Sequence, residues 1–292
     1  MLGSIEAGGT KFVCAVSDEE FNLIDKTSFP TTDPKSTLKE IFNFFDKYKD
    51  IKSIGIGSFG PININKSSDK YGYITSTPKT KWKNFNFLGE MKKHYNIPIS
   101  WTTDVNAACL GEYYLGSAKG SNSCIYLTVG TGIGGGAIIN GDFMEGFSHP
   151  EMGHILIKKH VQDKYEGFCP YHGDCLEGLT AGPSIEKRYG VSGNKLDKNH
   201  EVWKFISYYL AQALVNYTLI IRPEKIILGG GVMNQDHMLS LVKKEFKSLL
   251  SDYVEVPNID DYIVKPSLKD NAGIIGGLVL ASKECGYCGK TY

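Results

Sequence analysis

Cys169-x-x-His172-x-x-Cys175 sets three soft or borderline ligands at metal-binding spacing, on a stretch rich in Gly and Pro. Structural zinc takes four such ligands in a tetrahedron, so one more must come from elsewhere in the chain. His154, in Glu151-Met152-Gly153-His154, is the choice, with His149 and His160 as competitors. Glu151 and Glu177 flank the same stretch. Carboxylates beside a metal-braced loop suit the donor hydroxyls of a sugar; the plainer reading is a pair of exposed acids. Cys285-x-x-Cys288 has no neighbouring histidine and reads as chain terminus rather than site.

Two glycine turns point to a different chemistry. Ala7-Gly8-Gly9-Thr10 runs into Lys11, and Gly130-Thr131-Gly132-Ile133-Gly134 joins two apolar runs. Successive backbone N–H groups in such turns form an anion-binding concavity, to which Thr10, Thr131 and Lys11 add hydroxyls and a positive charge. Either turn alone is also an ordinary hairpin; the pair, one in each half of the chain, suggests a polyphosphate gripped from both sides of a cleft. No G-x-x-x-x-G-K-[ST] loop is present, and no G-x-G-x-x-G opens an early dinucleotide-binding unit. Gly229-Gly230-Gly231, after an apolar strand, allows close approach of a flat group such as adenine, or simply starts a helix. Asp104 falls where a strand ends and a helix begins, the place where open α/β sheets put ligands. A carboxylate there can take the proton of an attacking hydroxyl, or merely cap the helix.

The elements that must position these residues follow from apolar spacing. Strands are expected at 2–6 and 11–17, joined as a hairpin, and at 53–57, 97–102, 124–129, 135–139 and 225–228. Helices are expected at 38–48, 87–95, 105–115, 202–221, 236–250 and 272–284. Residues 149–182 read as irregular. A strand–Gly–strand pattern near residue 8 recurs near residue 132, which implies two α/β domains of related plan. The small, polar stretch 116–123 suits the boundary.

Composition narrows the function. Lys+Arg and Asp+Glu number 32 each, so the net charge is near zero, which argues against binding nucleic acid or an anionic membrane by bulk electrostatics. The N-terminus lacks a basic, then apolar, signal segment, and no apolar run reaches the roughly 18–20 residues of a membrane span. Seven cysteines cannot all pair internally, and their spacing suits metal rather than a secreted framework. A cytoplasmic protein is expected.

With these residues in place, the chain resembles the ROK family of sugar kinases and repressors along its whole length, and most of all the family's fructokinase branch. Glu6-Ala7-Gly8-Gly9-Thr10-Lys11 matches the first phosphate loop, and Gly57-Ser58-Phe59-Gly60-Pro61 the early sugar-side turn. Asp104-Val105-Asn106-Ala107-Ala108 matches the catalytic segment, and Gly130 to Gly136 the second phosphate loop. His149-Pro150-Glu151-Met152-Gly153-His154, then Cys169 to Gly178, matches the zinc and sugar segment. The ordered set is far more specific than any member.

The resemblance implies an α/β, two-domain actin-like ATPase fold (sugar kinase–Hsp70–actin) with a ligand cleft between the domains. It would comprise 1–117 with 275–292, and 118–274. It implies transfer of the γ-phosphoryl of ATP, with Mg2+, to the 6-hydroxyl of fructose, Asp104 acting as general base. Gly8, Gly9, Thr10, Lys11, Thr131 and Gly132 would hold phosphates, with Gly230, Gly231 and Pro183 on the nucleotide side. Glu151, Glu177 and His154 would face the sugar, and zinc on His154, Cys169, His172 and Cys175 would brace that loop. A homodimer is the family expectation. Glu6 stands where most members carry aspartate, and Thr103 where glucokinase-like members carry asparagine; with His172 in the ligand loop, these departures favour fructose. Mannose, glucose or an N-acetylhexosamine is the alternative acceptor. A repressor would need a DNA-binding module, for which the sequence before the first loop leaves no room; a non-catalytic sugar sensor is the remaining rival.

Overall fold

The computed structural model describes residues 1–286; Cys288, half of the C-terminal cysteine pair, lies outside the described residues. The chain divides into two compact units. The first takes Met1–Lys119, Met144–His149 and the segment from Leu268; the second takes Gly120–Phe143 and Pro150–Ser267.

In the first unit β1 (Leu2–Ala7) and β2 (Lys11–Ser17) form the expected hairpin, and β3 (Leu23–Pro30) extends it. Then come α1 (Pro34–Phe45), β4 (Ser53–Ser58), a ribbon of β5 (Tyr73–Ile74) with β6 (Phe85–Asn86), α2 (Phe87–His94), β7 (Ile99–Thr103) and α3 (Asp104–Leu115). The five-stranded sheet runs β3-β2-β1-β4-β7, with β1, β4 and β7 parallel. β4 is buried along its whole length, as a central strand covered on both faces must be. Spacing gave no sign of β3: it is an edge strand whose Leu23 and Ile24 face solvent, so only its pairing with β2 defines it. Helix α1 starts earlier than residue 38, because Asp33 accepts the Ser36 N–H and Pro34 sits at the first helical position. Trp82 centres the core, its ring 5.4 Å from Phe12, 5.7 Å from Phe59 and 5.8 Å from Phe87, its indole N–H given to Thr32 O.

The second unit repeats the plan. It contains β8 (Ser123–Val129), β9 (Ile133–Ile139), β10 (Asp142–Phe143), α4 (Leu176–Thr180), α5 (Gly182–Tyr189), α6 (Val202–Ile221), β11 (Lys225–Gly229), α7 (Met238–Leu250), α8 (Ile259–Tyr262) and β12 (Ile263–Val264). Its sheet runs β10-β9-β8-β11-β12: again a hairpin on one side and parallel strands on the other. Among the described residues no helix is long and apolar enough to cross a membrane.

The last helix, α9 (Ala272–Glu284), belongs to the first unit, where small residues bring it against α3 and the sheet. A Cβ on Gly276 would lie 1.7 Å from Ala107 O, and one on Gly55 1.9 Å from Gly277 O. Ser4 and Ser53 hydroxyls donate to Ile274 O and Ala281 O at 2.8 and 2.7 Å, so the close approach is also polar and registered. Gly276→Ala should therefore lower unfolding free energy by about 1–3 kcal/mol in urea titration. Gly146→Ala, whose methyl meets nothing within 4 Å, should stay within about 0.5 kcal/mol of wild type.

Candidate active site

Parallel register aligns the first half of the site. Ala7, Ser58 and Thr103 are cross-strand neighbours, so β1, β4 and β7 all end at one edge of the sheet. From that edge emerge the glycine loop after β1, the turn after β4 and Asp104 after β7. The loop is closed by the Gly8 N–H on Lys11 O at 3.0 Å and held by the Thr31 hydroxyl on Gly8 O at 2.7 Å. Thr10 and Lys11 are exposed beside it. Lys79, which no motif marked, lays its chain over Gly9: its Cε is 3.2 Å from where a Cβ would stand.

Asp104 is not the helix cap that its position suggested. Thr103 caps α3, its hydroxyl accepting the Asn106 N–H at 3.0 Å, and Asp104 is the first helical residue. One carboxylate oxygen accepts the Val105 N–H at 2.9 Å. Burial pushes the Asp104 carboxyl up to about 7; that hydrogen bond opposes the shift, the Glu6 charge adds to it and His149 opposes it. Glu6, itself raised by burial, keeps one buried oxygen without a hydrogen-bond partner. Asn106 reaches the carboxylate of Glu145 at 3.5 Å, another residue the motifs did not mark.

In the second unit the loop between β8 and β9 is closed by the Gly130 N–H on Gly132 O at 2.9 Å, with Thr131 exposed at its tip. The segments that carry the other predicted nucleotide residues, Pro183, Gly230 and Gly231, come up to it or to the strand before it. The Gly182 N–H, one residue before Pro183 at the start of α5, binds Gly130 O at 2.7 Å. Gly230, at φ +90, lies against Val129, where a Cβ would be 2.5 Å from the Val129 N; Gly231 follows.

The four predicted metal ligands come together. His154, Cys169, His172 and Cys175 each present one ligand atom, all within 4.8 Å of one another. Cys169 Sγ is 3.7 Å from Nδ1 of both His154 and His172, and Cys175 Sγ is 3.6 Å from His154 Nδ1. Zn–S of about 2.3 Å and Zn–N of about 2.0 Å imply a tetrahedral S···N edge of about 3.5 Å, so the set fits zinc. Burial pushes the Cys175 thiol up to about 11; a bound cation would reverse that. The competitors lie elsewhere: His149 belongs to the first unit, and His160 packs on Phe205 and Tyr208. Glu151 is exposed ahead of the turn Met152–His154. Glu177 is half-buried, with one oxygen on the Ile133 N–H at 2.9 Å and the other 3.9 Å from His154 Nε2.

Asp104 gives a pH prediction. Its folded pKa lies above the unfolded value of about 3.9, so between about pH 4 and 7 the folded state holds a proton that the unfolded chain has lost. Stability therefore falls as pH rises through that window. Asp104→Asn removes the effect, so the variant's stability advantage over wild type should grow from pH 4 to 7 and then level off. An advantage independent of pH in chemical denaturation would remove the raised pKa.

The family profile described as the ROK family matches residues 2–284. The chain is 50% identical over 288 residues to the fructokinase of Streptococcus mutans serotype c, covering 97% of this chain and 98% of the relative. It is 51% identical over 282 residues to the fructokinase of Lactococcus lactis subsp. cremoris, covering 96% of each chain. Its structure superposes on a ROK hexokinase from Thermus thermophilus with a TM-score of 0.80 at 24% identity, covering 98% of this chain and 99% of that one. That architecture is the two-domain α/β fold of the actin-like ATPases expected from the motifs. The chain belongs to the ROK family.

Proposed function

We propose that this protein is an ATP-dependent fructokinase. It transfers the γ-phosphoryl of ATP to the 6-hydroxyl of D-fructose. The observation that carries the reading is Asp104: a carboxylate free of capping duty, at the ends of parallel strands, with its pKa near neutrality. Identity of about half to fructokinases along nearly the whole chain selects the acceptor.

Ionised Asp104 takes the proton of the 6-hydroxyl as that oxygen forms its bond to the γ-phosphorus; the bond from phosphorus to the β-γ bridging oxygen breaks and ADP leaves. Gly8, Gly9, Thr10 and Lys11 hold phosphates from the first unit, where Lys11 and Lys79 supply the fitting charge. Thr131 and Gly132 hold them from the second, with Pro183, Gly230 and Gly231 toward the nucleoside. Mg2+, when bound with ATP, neutralises charge on the phosphate oxygens. Glu151, Glu177 and His154 face the sugar. Zinc on His154, Cys169, His172 and Cys175 is structural, because four protein ligands leave no open position. We place the protein in a reducing cytoplasm, a reading supported by cysteine spacing that suits a metal rather than a secreted disulfide framework. We take it to act as a homodimer, which light scattering tests.

ADP release should be strong with fructose and weak with mannose, glucose and N-acetylhexosamines. Asp104→Asn should cut kcat by about 10²–10⁴-fold while leaving sugar and nucleotide binding nearly unchanged. Turnover led by another sugar would keep the kinase and change the acceptor. Elemental analysis should find one zinc per chain, and a preparation fully active without zinc would sink the metal assignment.

A further inference from the structure

We infer that Glu177 is a positioning residue for the nucleotide, tying the second glycine loop to the metal-braced segment. The inference rests on the reading that this loop holds ATP phosphates.

Glu177 lies in the first turn of α4, two residues after the ligand Cys175. One carboxylate oxygen accepts the Ile133 N–H at 2.9 Å, and the same oxygen would be 2.7 Å from a Cβ on Gly132. The other oxygen points toward Nε2 of His154, whose Nδ1 faces both cysteines. A carboxylate behind a ligating histidine is the usual second layer of a metal site, fixing the ring's orientation. Here that layer also grips backbone of the glycine loop. Two further contacts make the junction stiff. Gly153, next to His154, packs so closely on β9 that a Cβ would stand 2.0 Å from Ile133 O. The backbone beyond Glu177 returns to the loop through the Gly182 N–H on Gly130 O.

Glycine turns are cheap to deform, and a loop that must present N–H groups to phosphate gains affinity when it is held in the binding shape beforehand. Holding Ile133 N–H on a carboxylate fixes the backbone immediately after Thr131 and Gly132. The cluster of His154, Cys169, His172 and Cys175 therefore serves the nucleotide loop as well as the sugar side. A role in sugar binding alone makes a different forecast: loss of Glu177 would weaken fructose binding and leave nucleotide affinity untouched.

The test is calorimetric titration of Mg2+ with a non-hydrolysable ATP analogue, without sugar, into zinc-loaded wild type, Glu177→Ala and Glu177→Gln. Metal content and melting temperature are measured on each. Glu177→Ala should raise the analogue Kd about tenfold, the loss of one charge-assisted hydrogen bond. Glu177→Gln keeps an acceptor oxygen and should stay within about threefold of wild type. Zinc-stripped wild type should also bind the analogue more weakly and exchange its Ile133 amide proton faster, a readout that stands should Glu177→Ala fail to fold. Wild-type analogue affinity in metal-replete Glu177→Ala, or unchanged affinity and exchange on zinc removal, would overturn the inference. Wild type that does not bind the analogue would instead overturn the ATP reading.

Discussion

The Asp104 carboxyl is largely withdrawn from water, yet opposing interactions hold its pKa at about 7, and the first unit brings those interactions together. Removing a carboxylate from water favours its neutral form, and the nearby Glu6 charge pushes the same way. The Val105 N–H and His149 pull back, leaving the group near neutrality rather than permanently protonated. Thr103, rather than Asp104, caps α3, so the carboxylate is free of that duty. Three parallel strands ending in register then set the glycine loop and the turn after β4 at the same edge.

That edge depends on tight packing beneath it. Helix α9 approaches α3 and β4 at glycines, closer than any side chain would allow, and serine hydroxyls on β1 and β4 lock its register. The position of α3, and with it Asp104, is thus set by the far end of the chain. Gly57 contributes from β4: a Cβ there would be 2.6 Å from the Ala107 methyl group, so its absence lets α3 settle against the strand end.

The second unit solves a related problem by other means. Its glycine loop has little side chain of its own to hold it, and rigidity comes from neighbours: Gly182 at one end, Glu177 and Gly153 at the other. The segment carrying those neighbours is itself poor in regular structure. It is anchored by the buried Asp163–Arg188 pair at 2.8 Å, by the Tyr209 hydroxyl on Asp163, and by the converging histidines and cysteines.

Much of this was legible in the residues. Buried strands announce themselves by continuous apolar runs, α6 and α9 by their length and apolar content, and the glycine turns by composition. The Cys169, His172 and Cys175 spacing marked three candidate ligands, because such ligands must sit within a turn or two of one another along a loop. Their ordered succession also identified the family. Long-range proximity was not legible. On the sequence His154 is preferred to His149 and His160, but the fold, not spacing, is what carries that histidine to the cysteines. Nor could spacing show that Thr103 rather than Asp104 caps α3, since both residue types cap well and only the backbone's turn into the helix decides. Lys79 and Glu145 carry no motif, and the grip of Glu177 on Ile133 was not legible because it joins residues 44 apart. Sequence by itself determined the residue types and the local turns that the chemistry needs. Tertiary structure decided which of them meet and how far their charges are removed from water, because both depend on packing between segments distant along the chain.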